Sequence, residues 1–220
     1  MMGISLYGHP FSSYHQKVLI ALYENATPFE LRFLSRDDAA VGAEFAALWP
    51  LARMPLLVDA GRAVKESSVI IEYLGQKFPG PVKLIPADPA TALETRFMDR
   101  FFDNYIMTPM QRIVGDALRA ADVRDAHGVG AARKLLDQAY SWLDTVMAGR
   151  AWAAGDAFTL ADCAAAPALF YADWVHPVSA AFTHVRAYRT RLLARPSFAR
   201  AVDEARAYRP LFPLGAPDRD

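Results

Sequence analysis

The chain has 220 residues, 53% of them hydrophobic and 22% charged, an ordinary balance for a globular protein. Its 24 Lys and Arg equal its 24 Asp and Glu, and no basic run breaks that neutrality, so it carries no electrostatic footprint for nucleic acid or an anionic membrane. The single cysteine excludes an internal disulfide, a Cys-x-x-Cys redox pair and a thiolate metal cluster. No uncharged apolar run is long enough to span a bilayer, and the first residues show neither a basic segment nor a long apolar stretch, so cytoplasmic residence is expected.

Ile4-Ser5-Leu6-Tyr7 reads as a short strand ending at Tyr7. Gly8 and Pro10 turn the chain, and Val18, Leu19 and Leu22 fall at the spacing of a helix that begins at Ser12 or Ser13. Either hydroxyl can serve as an N-cap. The same helix start gathers free N–H groups and the positive end of the helix dipole, which suits a thiolate or a carboxylate. Asn25-Ala26-Thr27-Pro28 reads as a turn, and Phe29 to Leu34 alternates like a half-buried strand. Residues 35–49 are Ala-rich and predict one short helix with loops. An apolar strand follows Met54-Pro55, Ala60-Gly61 makes a tight turn, and Arg62 to Lys65 returns as a hairpin. Glu66-Ser67-Ser68 then caps a helix through Leu74.

From Phe78 through Pro89, four prolines and Gly80 give linker composition. The expected organisation is therefore residues 1–79 as an α/β domain in the order βαβαββα, residues 80–89 as linker, and residues 90–220 as an all-α bundle. Asp88-Pro89 predicts the N-cap and first position of a long helix from Ala90 to about Ala121, bent at Pro109. Ala131 to Met147 predicts the next helix. Thr159-Leu160-Ala161-Asp162 is a capping box that opens a very apolar one. Val185 to Leu193 and Ser197 to Ala207 supply two more.

Several of these features bear on chemistry. Proline at the start of a strand needs a special placement; a cis peptide bond supplies one, and turns the Met54 backbone N–H and C=O towards an extended peptide ligand. Glu66-Ser67 at a helix start offers a carboxylate, a hydroxyl and free amides. Ser12 with Val18 behind it, Met54-Pro55, Glu66-Ser67-Ser68-Val69-Ile70 and Phe158-Thr159-Leu160-Ala161-Asp162 together resemble the cytosolic glutathione transferase family over nearly the whole chain. The resemblance implies an N-terminal thioredoxin-like domain that holds glutathione and a C-terminal helical domain that supplies the pocket for a second substrate. It implies no metal, and a homodimer. It sets Ser12 at the catalytic serine of the theta and zeta classes, whose hydroxyl donates to the glutathione thiolate. Arg53 falls where theta-like members hold the glycyl carboxylate. Met54, beside Pro55, would pair through its backbone with the cysteinyl part, and Glu66 and Ser67 would hold the γ-glutamyl end.

The implied activity is conjugation of glutathione to an apolar electrophile bordered by Tyr14, the long helix and the C-terminal tail. A non-catalytic binder of glutathione or apolar ligands, or a glutathione-dependent dehalogenase or lyase, are the alternatives on the same fold. Trp49-Pro50-Leu51-Ala52 departs from the family's Asn-Pro-x-Gly. The run Ser12-Ser13-Tyr14-His15-Gln16-Lys17 lacks the cysteine and arginines of the zeta signature, which disfavours isomerisation of maleylacetoacetate. Without a cysteine at position 12, mixed-disulfide chemistry is not expected. Tyr7 ends its strand where other classes keep a catalytic tyrosine, but a strand-end aromatic packed on the core is the simpler reading. Ser13 is the second candidate for the thiolate donor. His15, one turn into its helix, reads as a solvent or cleft-edge residue. Asp103 is a candidate to reach across a dimer to the γ-glutamyl amine. Cys163 fits a buried, inert position behind the capping box.

Overall fold

The computed structural model describes residues 3–220; the first two positions of the expected α/β domain lie outside them. Strand β1 (Ile4–Gly8) leads into α1 (Ser13–Glu24) and returns as β2 (Phe29–Phe33), which pairs parallel to β1 from Ile4 opposite Phe29. Helix α2 (Ala39–Leu48) precedes β3 (Leu56–Asp59) and β4 (Arg62–Lys65), a hairpin turned at Ala60 and Gly61, both at positive φ. Helix α3 (Ser67–Lys77) closes this half. The sheet order is β2-β1-β3-β4, with β3 antiparallel to both neighbours, a thioredoxin-like arrangement.

Side chains alternate across β1, and this decides the fate of Tyr7. Ile4 and Leu6 join the main core with Val18, Leu57 and Ile70. Tyr7 points to the other face, where it packs in a small cluster with Phe45 of α2 and Leu56, its ring stacked on Phe45 at 6.2 Å.

Residues 78–88 carry neither helix nor strand, and helices follow to the end. They are α4 (Pro89–Phe101), a π-helical segment (Phe102–Met107), α5 (Thr108–Ala117), α6 (Ala126–Met147), α7 (Leu160–Val175), α8 (Thr183–Leu193) and α9 (Pro196–Ala205). A 3-10 turn, Arg206–Leu211, ends the helical half. Helix α7 runs through its centre, buried on all sides except at Trp174. Among the described residues no helix is long and apolar enough to cross a membrane.

Two expectations are corrected. The long helix stops at Ala117, and its irregularity lies before Pro109 rather than at it. Proline has no N–H for the carbonyl four residues back. The chain widens one turn earlier, where the Thr108 N–H bonds the Asp103 carbonyl and the Thr108 hydroxyl donates to the same oxygen at 2.9 Å. Helix α6 begins at Ala126, five residues before the expected start. Gly128 and Gly130 argue against helix by propensity. Asp125 overrides them: its carboxylate accepts from the Gly128 N–H at 2.7 Å, and its own N–H donates to Asp116 at 2.7 Å.

Candidate active site

Ser12 is the N-cap of α1, with extended backbone (φ −83°, ψ 121°) and a side-chain oxygen that accepts from the His15 N–H at 3.4 Å. A capping hydroxyl uses only its lone pair, so its proton is free to be donated. The first N–H groups of α1 converge on the same place. This helix start opens into a cavity of about 700 Å³ that also receives Arg53, Met54, Pro55, Glu66 and Ser67. Six residues singled out in the sequence thus meet around one space, with Tyr14 and Asp103 also on its wall.

The loop before β3 explains how. Met54-Pro55 is cis, and Ala52, where glycine would be at ease, holds a left-handed φ of 49° with its N–H on the Trp49 carbonyl at 2.8 Å. Glu66 is also left-handed, at φ 67°, a strain of about 1–3 kcal/mol for a side chain with a Cβ. It sits at the N-cap position of α3 but makes no capping bond, so its carboxylate and the first N–H groups of α3 remain for a ligand. Ser67 is buried beside it. The cavity wall therefore offers a guanidinium together with a carboxylate, a hydroxyl and a helix start.

A second cavity of about 400 Å³ adjoins the first. Phe11, Met110, Val114, Leu118, Tyr171 and Phe212 form its apolar walls, and among the described residues no charged one lines it. Ser13 borders this cavity alone, while Ser12 borders both. Tyr14 lines the polar cavity with Ser12 instead of the apolar one, whose aromatic wall comes from Phe11, Tyr171 and Phe212. Burial first, and then the Asp103 carboxylate, push the Tyr14 phenol up to about 12. Tyr7 reaches neither cavity; it lies across the sheet, and burial with the nearby Glu44 raises its phenol.

Residues 6–82 match the glutathione S-transferase N-terminal domain, and residues 101–196 match the glutathione S-transferase C-terminal domain. Glutathione S-transferase 3 of Zea mays is 31% identical over 214 residues, covering 92% of this chain and 94% of its own. The chain belongs to the glutathione S-transferase family. A glutathione S-transferase of Methylobacterium radiotolerans, solved with glutathione sulfonate, superposes with a TM-score of 0.78 at 32% identity, over 90% of this chain and 94% of that one. A stringent starvation protein A homolog of Haemophilus ducreyi is 28% identical over 208 residues, covering 90% of this chain and 89% of its own.

The structure of this transferase-family chain also holds residues that sequence reasoning missed or misread. His15 is not at the cleft edge: it is fully buried, both ring nitrogens lack a partner, and burial drives its pKa down to about 3. Its ring fills the space where Gly8 has no Cβ, which is why glycine stands there. Lys17 is buried too, 1% exposed, and bonded to Asp103, which lines the polar cavity. Its ammonium meets Asp99 at 2.6 Å, Asp103 at 2.8 Å and the Ser68 hydroxyl at 2.9 Å. Arg100 closes the cluster on both carboxylates, at 2.7 and 2.6 Å. Burial raises the Asp103 pKa against the pull of Lys17. The signal was Asp99 and Asp103 at i and i+4, two acids on one helical face that require a cation. One Asp103 oxygen, Oδ2, takes both cations. Cys163 is fully buried, and burial pushes its thiol well above the ordinary range.

Proposed function

We propose that the polar cavity binds glutathione, that the Ser12 hydroxyl and the start of α1 stabilise its thiolate, and that the thiolate attacks an uncharged apolar electrophile held in the adjoining cavity. The observation that carries this is the position of Ser12 on the wall of both cavities. Arg53 takes the glycyl carboxylate, the backbone of Met54 pairs with the cysteinyl unit, and Glu66 with Ser67 takes the γ-glutamyl ammonium and carboxylate. A free thiol titrates at about 8.5, and lowering it to near 7 corresponds to about 2 kcal/mol of preferential thiolate binding. The thiol proton leaves to water. The sulfur lone pair forms a C–S bond as the leaving group departs with its electrons. Walls without a cation favour a neutral electrophile over a dicarboxylate. The exposed Val69, Leu93 and Phe97 on α3 and α4 give a second copy of the chain an apolar face, and sedimentation should report a dimer.

Ultraviolet difference titration of bound glutathione tests the reading. The wild type should show thiolate near neutral pH. Ser12→Ala should raise the thiol pKa and slow conjugation about tenfold or more, with glutathione affinity nearly intact. Arg53→Ala and Glu66→Ala should weaken glutathione by about 1.5–3 kcal/mol in calorimetry. Wild-type affinity in both would put the tripeptide elsewhere. The likeness to a stringent starvation protein homolog favours a second reading, a glutathione binder without turnover; it predicts the thiolate band but no product from any neutral electrophile.

A further inference from the structure

Two buried polar side chains stand directly behind the turn that delivers Ser12. Gln16, in the first turn of α1, is fully buried, and its amide donates to the Pro10 carbonyl at 2.9 Å and to the Tyr171 hydroxyl at 3.0 Å. Tyr171 comes from α7, in the helical half, and its hydroxyl donates in turn to the Phe11 carbonyl at 3.4 Å. Burial keeps this phenol protonated, far above its ordinary range, so one hydroxyl accepts from Gln16 and donates to Phe11 at once. The carbonyls so held belong to the two residues immediately before Ser12. The Tyr171 ring meets Phe11 edge-on at 5.5 Å and also walls the apolar cavity.

We propose that Tyr171 is a positioning residue for Ser12: through Gln16 and the Phe11 carbonyl, the helical half holds the turn that aims the Ser12 hydroxyl at the sulfur. The inference rests on Ser12 being the thiolate donor. A hydrogen bond to an anion is worth most when its donor is fixed before the charge appears, because no reorganisation is then needed. Gly8, Pro10 and the extended Ser12 leave this turn without helix or sheet pairing of its own between His9 and Ser12, apart from the bond from the Ser12 N–H to the His9 carbonyl at 2.8 Å. Its placement therefore falls to side chains, and one of them arrives from the other half of the molecule. The same ring that contacts the electrophile then helps to set the nucleophile.

The test compares wild type, Tyr171→Phe, Ser12→Ala and the double variant by titration of bound glutathione and by steady-state conjugation. Tyr171→Phe keeps the ring in the cavity and removes only the hydroxyl. It should raise the bound thiol pKa by about half a unit and lower kcat about threefold, with the glutathione KM within about twofold. In the Ser12→Ala background the same change should add nothing, since its effect passes through Ser12. Gln16→Met, which cuts the network from the other side, should repeat the shift and gives a second route should Tyr171→Phe fold poorly. An unchanged thiol pKa in both variants, or a full additional effect on top of Ser12→Ala, overturns the proposal while leaving Ser12 as donor. A thiol pKa indifferent to Ser12→Ala overturns both readings.

Discussion

Ser12 has to do two things that pull against each other: satisfy an orphan N–H at a helix start and still present a proton to an anion. A hydroxyl does both, since it accepts and donates through different parts of one atom. A carboxylate cap could only accept, and would repel a thiolate. His15, three residues on, shows the opposite case, a titratable group from which the fold excludes charge. Its folded pKa of about 3 lies below the ordinary 6.5, so as the pH falls below about 6.5 the unfolded chain takes up the proton first. Stability is then lost progressively towards pH 3, by up to about 1.4 kcal/mol per pH unit from this group. His9, lowered by burial, acts in the same direction. The melting temperature of the wild type should therefore drop between about pH 7 and pH 5. His15→Leu, less well packed against Gly8 at neutral pH, should show a smaller drop over that interval. An equal drop in the variant would place the acid sensitivity elsewhere.

Helix starts are where the sequence is most legible, because capping is local chemistry. The Asp162 half of the α7 capping box forms as the spacing implies, its carboxylate accepting from the Thr159 N–H, while the Thr159 hydroxyl donates to that carboxylate instead of accepting from the Asp162 N–H. The magnitude was not legible. As a cap alone, Asp162 is worth about 1 kcal/mol. In the fold its carboxylate accepts from the Thr159 N–H at 2.8 Å, the Ala153 N–H at 2.9 Å and the Tyr188 hydroxyl at 2.6 Å, all out of water. With the Thr159 hydroxyl at 3.1 Å, Asp162→Ala strands four buried donors and should cost about 3 kcal/mol or more in urea denaturation. Asp162→Asn, which keeps an acceptor, should fall between the two; a loss near 1 kcal/mol for alanine would reduce Asp162 to a cap. The strands were readable from alternation and apolar runs, whereas the meeting of Ser12, Arg53 and Glu66 was implied only by the resemblance to the glutathione transferase family. The π segment was not readable, since its bonding depends on how Pro109 is accommodated by the turn before it. Nor was the burial of His15, Gln16 and Lys17. Helical periodicity reveals one apolar face, whereas α1 is covered in turn by α3, α7 and α9, so its polar positions are buried along with the apolar ones.

At the scale of the molecule, the two halves meet through charge as well as through the apolar core. Lys17 belongs to the sheet-bearing half and Asp99 and Asp103 to the helical one, with Ser68 of α3 between them. The cluster is neutral in sum, two cations and two carboxylates, and Lys17, Asp99 and Asp103 are all buried. Such a group adds little net stability over a well-packed apolar one, but breaking it is expensive because the remaining charges have no water. Lys17→Met should therefore cost about 3–5 kcal/mol, read by urea denaturation to avoid screening by an ionic denaturant. Arg100 cannot make up the loss, since about half of its side chain is in solvent and its charge is shared between both acids. Neutralising the partners as well, in Lys17→Met with Asp99→Asn and Asp103→Asn, should restore most of the stability, because what the single change exposes is uncompensated charge rather than lost volume. Because Asp103 and Arg100 also wall the polar cavity, Lys17→Met should also weaken glutathione binding, read by calorimetry. A Lys17→Met protein as stable as wild type would mean that the carboxylates take up protons or water at little cost, and that this charge cluster adds nothing to the joining of the halves.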